Sequence, residues 1–342
     1  MAIQISYINQ EVWKYIDKIE ASSKTNPPIL VVRCATFNQE KYIGTTLEGF
    51  VTQKTKFPFI VIVHDDASTD NTPNIIKEYS EKYPHLIFPI FEVENLYSKG
   101  QGDVSKILTE ACNRTGAKYI ALCEGDDYWI DPLKLQKQVD FLEKHVDYSL
   151  VATNTDNLNG TSIIPSKWNV TKDGERSIKE VILNGGLFLS TASLVFRADI
   201  YRQMPETAKT LHVGDYPLQI FMASKGRVWQ LADTTCVYRV QSDGSWTQNN
   251  KTNMYNYDFI RHRITKETYL LETMDKVTEG KYTSLFRQRK NLYIYNSLFL
   301  FNGWKCFNAF FKNPYLILQH NSLKHILLSF LPQRIKRKYL GR

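Results

Sequence analysis

The sequence predicts an α/β fold in which a mostly parallel β-sheet is flanked by helices. Short apolar runs at residues 29–32, 59–63, 86–91 and 119–122 have the length and the bounding residues of buried strands. Segments with helical periodicity separate these runs, so strand and helix alternate four times. This alternation is typical of a Rossmann-like sheet that binds nucleotides at the carboxyl ends of its strands.

The first elements can be justified one by one. Residues 1–26 have apolar side chains at helical spacing and predict an amphipathic N-terminal helix. Asn38 can cap the helix after the first strand, and Pro73 can open the helix after the second. Pro89 lies inside the third strand and lacks an N–H, which predicts a strand near the edge of the sheet.

The alternation loosens beyond residue 150. We expect strands at 148–152, 187–196, 228–231 and 236–240, and a polar loop at 153–176. A helix should open at Asp215, which precedes Tyr216 and Pro217, and should end near Gly226.

The positive charge of the chain is concentrated at its C-terminal end. Residues 281–342 contain 12 of the 43 Lys and Arg residues and none of the 35 Asp and Glu residues. Because apolar and aromatic runs interrupt these basic residues, the pattern favours a membrane surface rich in anionic lipid over a nucleic acid. No run reaches the roughly 18 apolar residues of a spanning helix, so we expect the tail to lie on the membrane. Its aromatic residues could instead pack on the rest of the protein.

The chain is therefore divided into three predicted parts. Residues 1–26 form the N-terminal helix, residues 27–247 the α/β domain, and residues 248–342 a helical, basic, membrane-associating extension. The five cysteines are scattered without a C-x-x-C pair, which argues against a disulfide framework or a zinc site. With no visible signal segment, we expect a cytoplasmic protein, peripheral on the inner face of the plasma membrane.

An acidic turn follows the fourth strand and is the feature around which the sheet is organised. Glu124, Asp126 and Asp127 lie between that strand and Asp131-Pro132, which reads as the start of a helix. Three carboxylates this close repel one another unless a cation lies among them. Oxygen ligands in this number suit Mn²⁺ or Mg²⁺ together with a ligand phosphate. The alternative is a solvated acidic loop that caps a helix.

A second acidic pair, Asp65 and Asp66, follows the second strand. Neither a Gly-x-Gly-x-x-Gly motif nor a Walker-type loop follows the first strand, so a nucleotide must be held in another way. These carboxylates can accept hydrogen bonds from a base N–H or a ribose hydroxyl. They could also serve only as a turn and cap before the helix at Pro73.

Five motifs in the expected order carry a resemblance to a known family. They are residues 35–43 (ATFNQEKYI), 64–70 (HDDASTD), 124–129 (EGDDYW) with Asp131-Pro132, 190–193 (STAS) and 214–218 (GDYPL). Over about residues 29–246 the sequence resembles the inverting GT-A-fold glycosyltransferases of family 2, especially those that make bacterial cell-surface polysaccharide.

The resemblance implies roles for the residues that match the motifs. The donor nucleotide would contact the first turn, with Phe37 near the nucleobase, and Asp66 with Asp65 would hold the uracil or ribose. Asn38, Glu40 and Glu124 belong to the same implied donor site.

At the reacting end, Asp126 and Asp127 would ligate Mn²⁺ or Mg²⁺ on the donor diphosphate, and Asp215 would be the catalytic base. Ser245 and Trp246 would close over the donor. Gln241 stands where such enzymes often have a histidine near the metal, which removes the better ligand for a transition metal.

The resulting prediction is a glycosyltransferase that moves a sugar from a UDP-sugar to a glycan acceptor, lipid-linked, in O-antigen or capsule synthesis. Two alternatives stay open. A sugar-phosphate nucleotidylyltransferase also combines acids with Mg²⁺, although 35–42 lacks the glycine-rich loop expected of one. A non-catalytic, nucleotide-binding scaffold of a polysaccharide assembly complex would keep the fold without the chemistry.

Overall fold

The computed structural model describes residues 9–98, 102–240, 242, 253 and 256–298. The chain divides into two compact units, Met1–Gly244 and Ser245–Arg342, and each is described by itself. The limits predicted for the α/β domain and the extension stay predictions.

The described part of the first unit contains one ten-stranded sheet. Its strands are β1 Leu30–Thr36, β2 Phe59–Asp65, β3 Ile87–Phe91, β4 Tyr119–Leu122, β5 Tyr128–Trp129, β6 Tyr148–Asn159, β7 Ser162–Pro165, β8 Gly174–Arg176, β9 Val195–Arg197 and β10 Arg227–Arg239. The helices are α1 Gln10–Thr25, α2 Ile43–Val51, α3 Thr72–Lys82, α4 Gly102–Arg114, α5 Lys134–Lys144, α6 Ile178–Asn184, α7 Ala198–Arg202, α8 Glu206–Lys209 and α9 Asp215–Lys225.

The sheet is mostly parallel, as predicted. Its order is β3-β2-β1-β4-β9-β6-β10-β5, with β7 on β6 and β8 on β10. The pairs β3–β2, β2–β1, β1–β4 and β6–β10 are parallel, while β9 is antiparallel to both β4 and β6. Because β1, β2 and β4 are parallel neighbours, the loops that follow them meet at one edge of the sheet.

The N-terminal helix α1 packs against β3. Strand β3 lies at the edge of the sheet, as the presence of Pro89 predicts. Val12, Ile16 and Ile19 of α1 are fully buried. Arg114 of α4 donates to Glu20 of α1 at 2.7 Å. Covering an edge strand prevents it from pairing with another chain.

Two predicted helix starts are wrong. Helix α2 begins at Ile43, and Asn38 instead has a positive φ of 51° and accepts a hydrogen bond from the N–H of Thr69. Helix α5 begins at Lys134, three residues after Asp131. The Asp131 carboxylate accepts from the N–H of Leu133 at 2.8 Å, so it forms a local turn of the kind that short acidic side chains favour.

The polar loop predicted at 153–176 is also wrong at its start, because β6 continues to Asn159. The polar side chains at 153–155 are buried and hydrogen-bonded: Thr153 shares a 2.6 Å hydrogen bond with Thr235, and Asn154 donates to the carbonyl of Ala232. The predicted strands 228–231 and 236–240 are one strand, β10, with register shifts on both sides of Thr234.

The strand predicted at 187–196 is reduced to Val195–Arg197. Gly185 has a φ of 80°, and residues Thr191–Ser193 form a single 3₁₀ turn. The chain therefore folds back before it enters the sheet.

In the second unit the described residues form two helices, α10 Tyr257–Val277 and α11 Thr283–Leu298. They are joined by a turn in which Glu279 and Gly280 have positive φ. Within the described ranges, no helix is both long enough and apolar enough to span a bilayer. Most of the basic tail, residues 299–342, lies outside the described residues.

Candidate functional site

The acidic turn after β4 is held by its backbone. The N–H of Gly125 donates to the carbonyl of Ala35 at 2.9 Å, and that of Asp127 donates to the carbonyl of Glu124 at 3.1 Å. The hydroxyl of Thr46, a fully buried residue of α2, lies 2.9 Å from the Gly125 carbonyl and 2.6 Å from the Asp127 carbonyl. These contacts fix the turn at the edge where β1 and β4 end.

Gly125 is required by the space around it. A Cβ at this position would lie 2.7 Å from both Cβ and Oγ1 of Thr36 and would overlap Oε1 of Gln39. Thr36 donates to Gln39 across the same space at 2.7 Å. The first loop therefore closes directly over the acidic turn.

Asp126 and Asp127 are adjacent but have different surroundings. Asp127 is only 2% exposed, and its Oδ1 accepts from the main-chain N–H of Arg239 at 2.9 Å. Burial, reinforced by the charge of Asp126, raises the pKa of Asp127 well above its usual range. Asp126 is only partly buried, and its Oδ2 accepts from the hydroxyl of Ser242 at 2.5 Å. A ligand can therefore reach Asp126, whereas Asp127 is buried against the end of strand β10.

Glu124, the first acid of the turn, has a solvent-exposed face. The protein around its carboxylate raises its pKa to about 7, and the charges of Asp126 and Asp215 act in the same direction. Arg33, on β1, opposes this shift. The pKa of Glu124 therefore depends on both aspartates, and neutralising either charge would lower it.

Asp215 occupies the first turn of α9, whose N-cap is Gly214. One carboxylate oxygen accepts from the N–H of Tyr216 at 2.8 Å, and the other accepts from the hydroxyl of Thr191 at 3.1 Å. A Cβ on Gly186 would lie 3.4 Å from Oδ2 of Asp215, so the chain passes close to this carboxylate. Burial raises the pKa of Asp215, which makes it a stronger base than an ordinary aspartate.

The residues predicted to contact the nucleotide lie on the loops after β1 and β2. The side chain of Phe37 is 41% exposed. Asn38 and Glu40 are exposed, and each also links the two loops by a hydrogen bond. Asn38 accepts from Thr69, and Glu40 accepts from the N–H of Asn71 at 2.9 Å.

Asp65 and Asp66 shape this same region. Asp65 accepts from both the N–H and the hydroxyl of Ser68, and burial raises its pKa. Asp66 is 4% exposed, and its two oxygens accept from the N–H groups of Leu96 and Tyr97 at 2.7 and 2.9 Å. Asp66 thus fixes the loop after β3 beside the predicted nucleotide site.

Three predicted residues, Gln241, Ser245 and Trp246, lie outside the described residues. Sequence reasoning missed Thr46, Thr191, Arg239 and Ser242 as contacts of the acidic side chains and their turn. Thr191 belongs to one of the five motifs and Arg239 to the predicted strand 236–240, but nothing in the local sequence indicates which distant acid each contacts.

The acids fit a divalent cation held partly by a ligand. Among the described residues, no group of three His, Cys, Asp or Glu side chains is arranged to hold a metal ion. Oδ1 of Asp126 and the accessible Glu124 offer hard oxygen atoms, which suit Mg²⁺ or Mn²⁺ bound by one or two carboxylates plus phosphate oxygens.

Comparison with known proteins gives consistent results. The model of the family "Glycosyl transferase family 2" matches residues 32–204. The uncharacterised protein Rv1520 of Mycobacterium tuberculosis is 35% identical over 217 residues, which are 62% of this chain and 58% of the relative. The chain thus matches less than two thirds of that relative's length.

Two solved structures share the fold. The S. aureus protein TarS (residues 1–349), in complex with UDP-GlcNAc, aligns with a TM-score of 0.51 and 17% identity over 79% of this chain and 80% of its own. The mannosyltransferase PcManGT of Pyrobaculum calidifontis, in complex with GDP-Man and Mn²⁺, aligns with a TM-score of 0.52 and 15% identity over 93% and 86%.

Proposed function

Since the chain belongs to glycosyl transferase family 2, we propose that it transfers a sugar from a UDP-sugar to a glycan acceptor, with inversion at the anomeric carbon. The observation that carries this proposal is that the turn Thr191–Ser193 packs against β4, which leads into the acidic turn, and also holds Asp215 through the hydroxyl of Thr191. The charges of Asp126 and Asp215 both act on the carboxylate of Glu124. An acid that can hold a cation and an acid that can accept a proton are the two groups that such a transfer needs.

The donor is held from two sides. Its base lies against Phe37 and the loop that Asp66 fixes, and its diphosphate lies at the acidic turn. Asp126 would hold the cation, with Glu124 beside it, and Asp127 would support them from its buried position. When bound, Mn²⁺ or Mg²⁺ neutralises the charge that develops on the departing diphosphate.

Asp215 is the base. As an acceptor hydroxyl oxygen attacks the anomeric carbon, its proton passes to Asp215, and the bond between that carbon and the diphosphate oxygen breaks. Attack opposite the leaving group inverts the configuration. Thr191 and the N–H of Tyr216 fix the direction of the carboxylate, so the base is already oriented before the acceptor binds.

The acceptor is a surface glycan on a polyprenyl lipid at the inner face of the membrane. The support for this step is the sequence of residues 281–342, which is basic and interrupted by apolar runs. Ser245 and Trp246 are proposed to close over the donor.

Titration calorimetry tests the donor site. UDP and GDP are titrated into the protein with Mn²⁺ and with EDTA, and the titrations are repeated on Asp126→Asn, Asp215→Asn and the exposed control Asp233→Asn. We expect UDP to bind only with metal, to be lost in Asp126→Asn and to bind normally to the other two variants. Transfer should fall about 10²–10⁴-fold in Asp215→Asn, the usual contribution of a general base.

Two results would contradict the proposal. Equal UDP binding in EDTA and in Asp126→Asn would remove the metal site from the acidic turn. Retention of the donor's anomeric configuration, read by NMR of the product, would exclude direct displacement.

The membrane step has its own test. Sedimentation with phosphatidylglycerol vesicles compares the full chain with a variant in which Lys336, Arg337 and Lys338 are replaced by serine. We expect weaker binding of the variant, about 1 kcal/mol for each charge. Equal binding of both proteins would contradict an electrostatic role for the tail.

A further inference from the structure

We infer that Arg239, the last residue of β10, is a positioning residue that fixes the carboxylate of Asp126 for cation binding. The inference rests on the proposed function, because it assigns a task to a residue outside the predicted site. Arg239 contacts the acidic turn from a strand more than 100 positions further along the chain.

Arg239 holds both aspartates of the turn. Its main-chain N–H donates to Oδ1 of Asp127 at 2.9 Å, and its Nη1 donates to the main-chain carbonyl of Asp126 at 2.5 Å. The first contact satisfies a buried carboxylate, and the second fixes the peptide from which the Asp126 side chain projects. A rotation of that peptide would change the direction of the carboxylate and break its contact with Ser242.

Two tyrosines hold the guanidinium of Arg239 in place. Its central carbon lies 4.4 Å from the ring centroid of Tyr128 and 5.1 Å from that of Tyr42. Both distances are within the range of cation–π attraction. Because a planar guanidinium can lie on a ring while it donates sideways, arginine suits this position and lysine does not.

The residue three positions further along completes the arrangement. The hydroxyl of Ser242 donates to Oδ2 of Asp126 at 2.5 Å, so Arg239 contacts the carbonyl of Asp126 and Ser242 contacts its carboxylate. Oδ1 would then be the oxygen that holds the cation. Groups that orient a metal ligand in this way typically change metal affinity by about 10–100-fold when removed.

The test measures metal affinity separately from nucleotide binding. Mn²⁺ is titrated into the protein at saturating UDP and followed by electron paramagnetic resonance, and UDP affinity is measured at saturating Mn²⁺. The variants are Arg239→Met and Arg239→Lys. Arg227→Met and Arg227→Lys, at the exposed start of the same strand, are the matched controls.

We expect the Mn²⁺ dissociation constant to rise about 10–100-fold in Arg239→Met and to be only partly restored in Arg239→Lys. UDP affinity at saturating Mn²⁺ and the melting temperature should stay close to those of the Arg227 variants. A folded Arg239→Met protein with wild-type Mn²⁺ affinity would overturn the inference.

If Arg239→Met does not fold, Tyr128→Leu provides the second measurement, because it loosens the guanidinium and keeps its hydrogen-bonding groups. It should also weaken Mn²⁺ binding, and an unchanged constant would again overturn the inference. If the wild-type protein binds UDP but no Mn²⁺, the metal step of the proposed function fails, and this inference fails with it.

Discussion

Replacing Gly125 by alanine tests whether the acidic turn depends on close contact with the first loop. The added methyl group would lie 2.7 Å from Cβ of Thr36, well inside normal contact distance. It would also overlap the amide oxygen of Gln39, which can move because it ends a flexible side chain. Cβ of Thr36 is bonded directly to the backbone of β1 and cannot move as easily, so the acidic turn itself must shift.

The expected loss in the free energy of unfolding has two contributions. Extra volume in a tightly packed site costs about 1–3 kcal/mol. Moving Gln39 away breaks its hydrogen bond with Thr36, which contributes about 0.5–1.5 kcal/mol. We therefore expect Gly125→Ala to lower the free energy of unfolding by about 2–4 kcal/mol. The displaced turn should also weaken Mn²⁺-dependent UDP binding.

Urea denaturation and calorimetry measure the two effects. Gly44→Ala is the matched control, because an added Cβ there meets nothing within 4 Å and lies in helix α2. It should stabilise the protein by about 0.5–1 kcal/mol. If Gly125→Ala unfolds at the same urea concentration as the wild type and binds UDP equally well, the turn is not constrained by the loop and the reasoning is refuted.

Three further substitutions test neighbouring contacts. Thr191→Val removes a hydrogen bond that lowers the pKa of Asp215, so the acidic limb of the pH profile of kcat/KM should move to higher pH. If the limb does not move, Asp215 is not the group whose protonation lowers activity at acidic pH. Thr46→Val leaves two buried carbonyls without their hydroxyl partner and should cost about 1–3 kcal/mol in urea denaturation; a cost below 0.5 kcal/mol, the lower end of a hydrogen bond's usual net contribution, would mean that the turn needs no such partner. Burial lowers the pKa of Lys134 from its ordinary value of 10.5 to about 8. Between these two pH values the unfolded chain therefore binds more protons than the folded protein does. The wild type should therefore gain about 3 kcal/mol relative to Lys134→Met as pH rises through that window, whereas a constant difference between the two proteins would contradict the lowered pKa.

The first half of the fold could be predicted because its strands are buried on both faces. Strands β1, β2 and β4 are continuous apolar runs, and such runs identify central parallel strands directly. The second half could not, because β6 and β10 bury polar side chains that satisfy one another, as Thr153 and Thr235 do. A prediction that takes polar residues to be exposed therefore assigns these segments to loops.

The sequence motifs indicate the acids of the candidate site but not the residues that contact those acids. Glu124, Asp126 and Asp215 are visible because carboxylates in motifs suggest chemistry. Their partners, such as Arg239 and Thr191, become neighbours only through strand order and loop packing. The different surroundings of Asp126 and Asp127 were hidden for the same reason, since only the path of β10 decides which of the two is buried.

The hydrogen bonds that hold the acidic turn go mainly to its backbone, and this has a physical reason. Three carboxylates within four residues repel one another, so the turn would open unless something opposed that repulsion. Cations paired with each carboxylate would close the turn but would also occupy the oxygen atoms that a metal needs. Thr46 and the Arg239 side chain instead bind main-chain carbonyls. The turn is thereby fixed while Glu124 and one oxygen of Asp126 stay available to a ligand, which is the arrangement expected of a binding site and not of a helix cap.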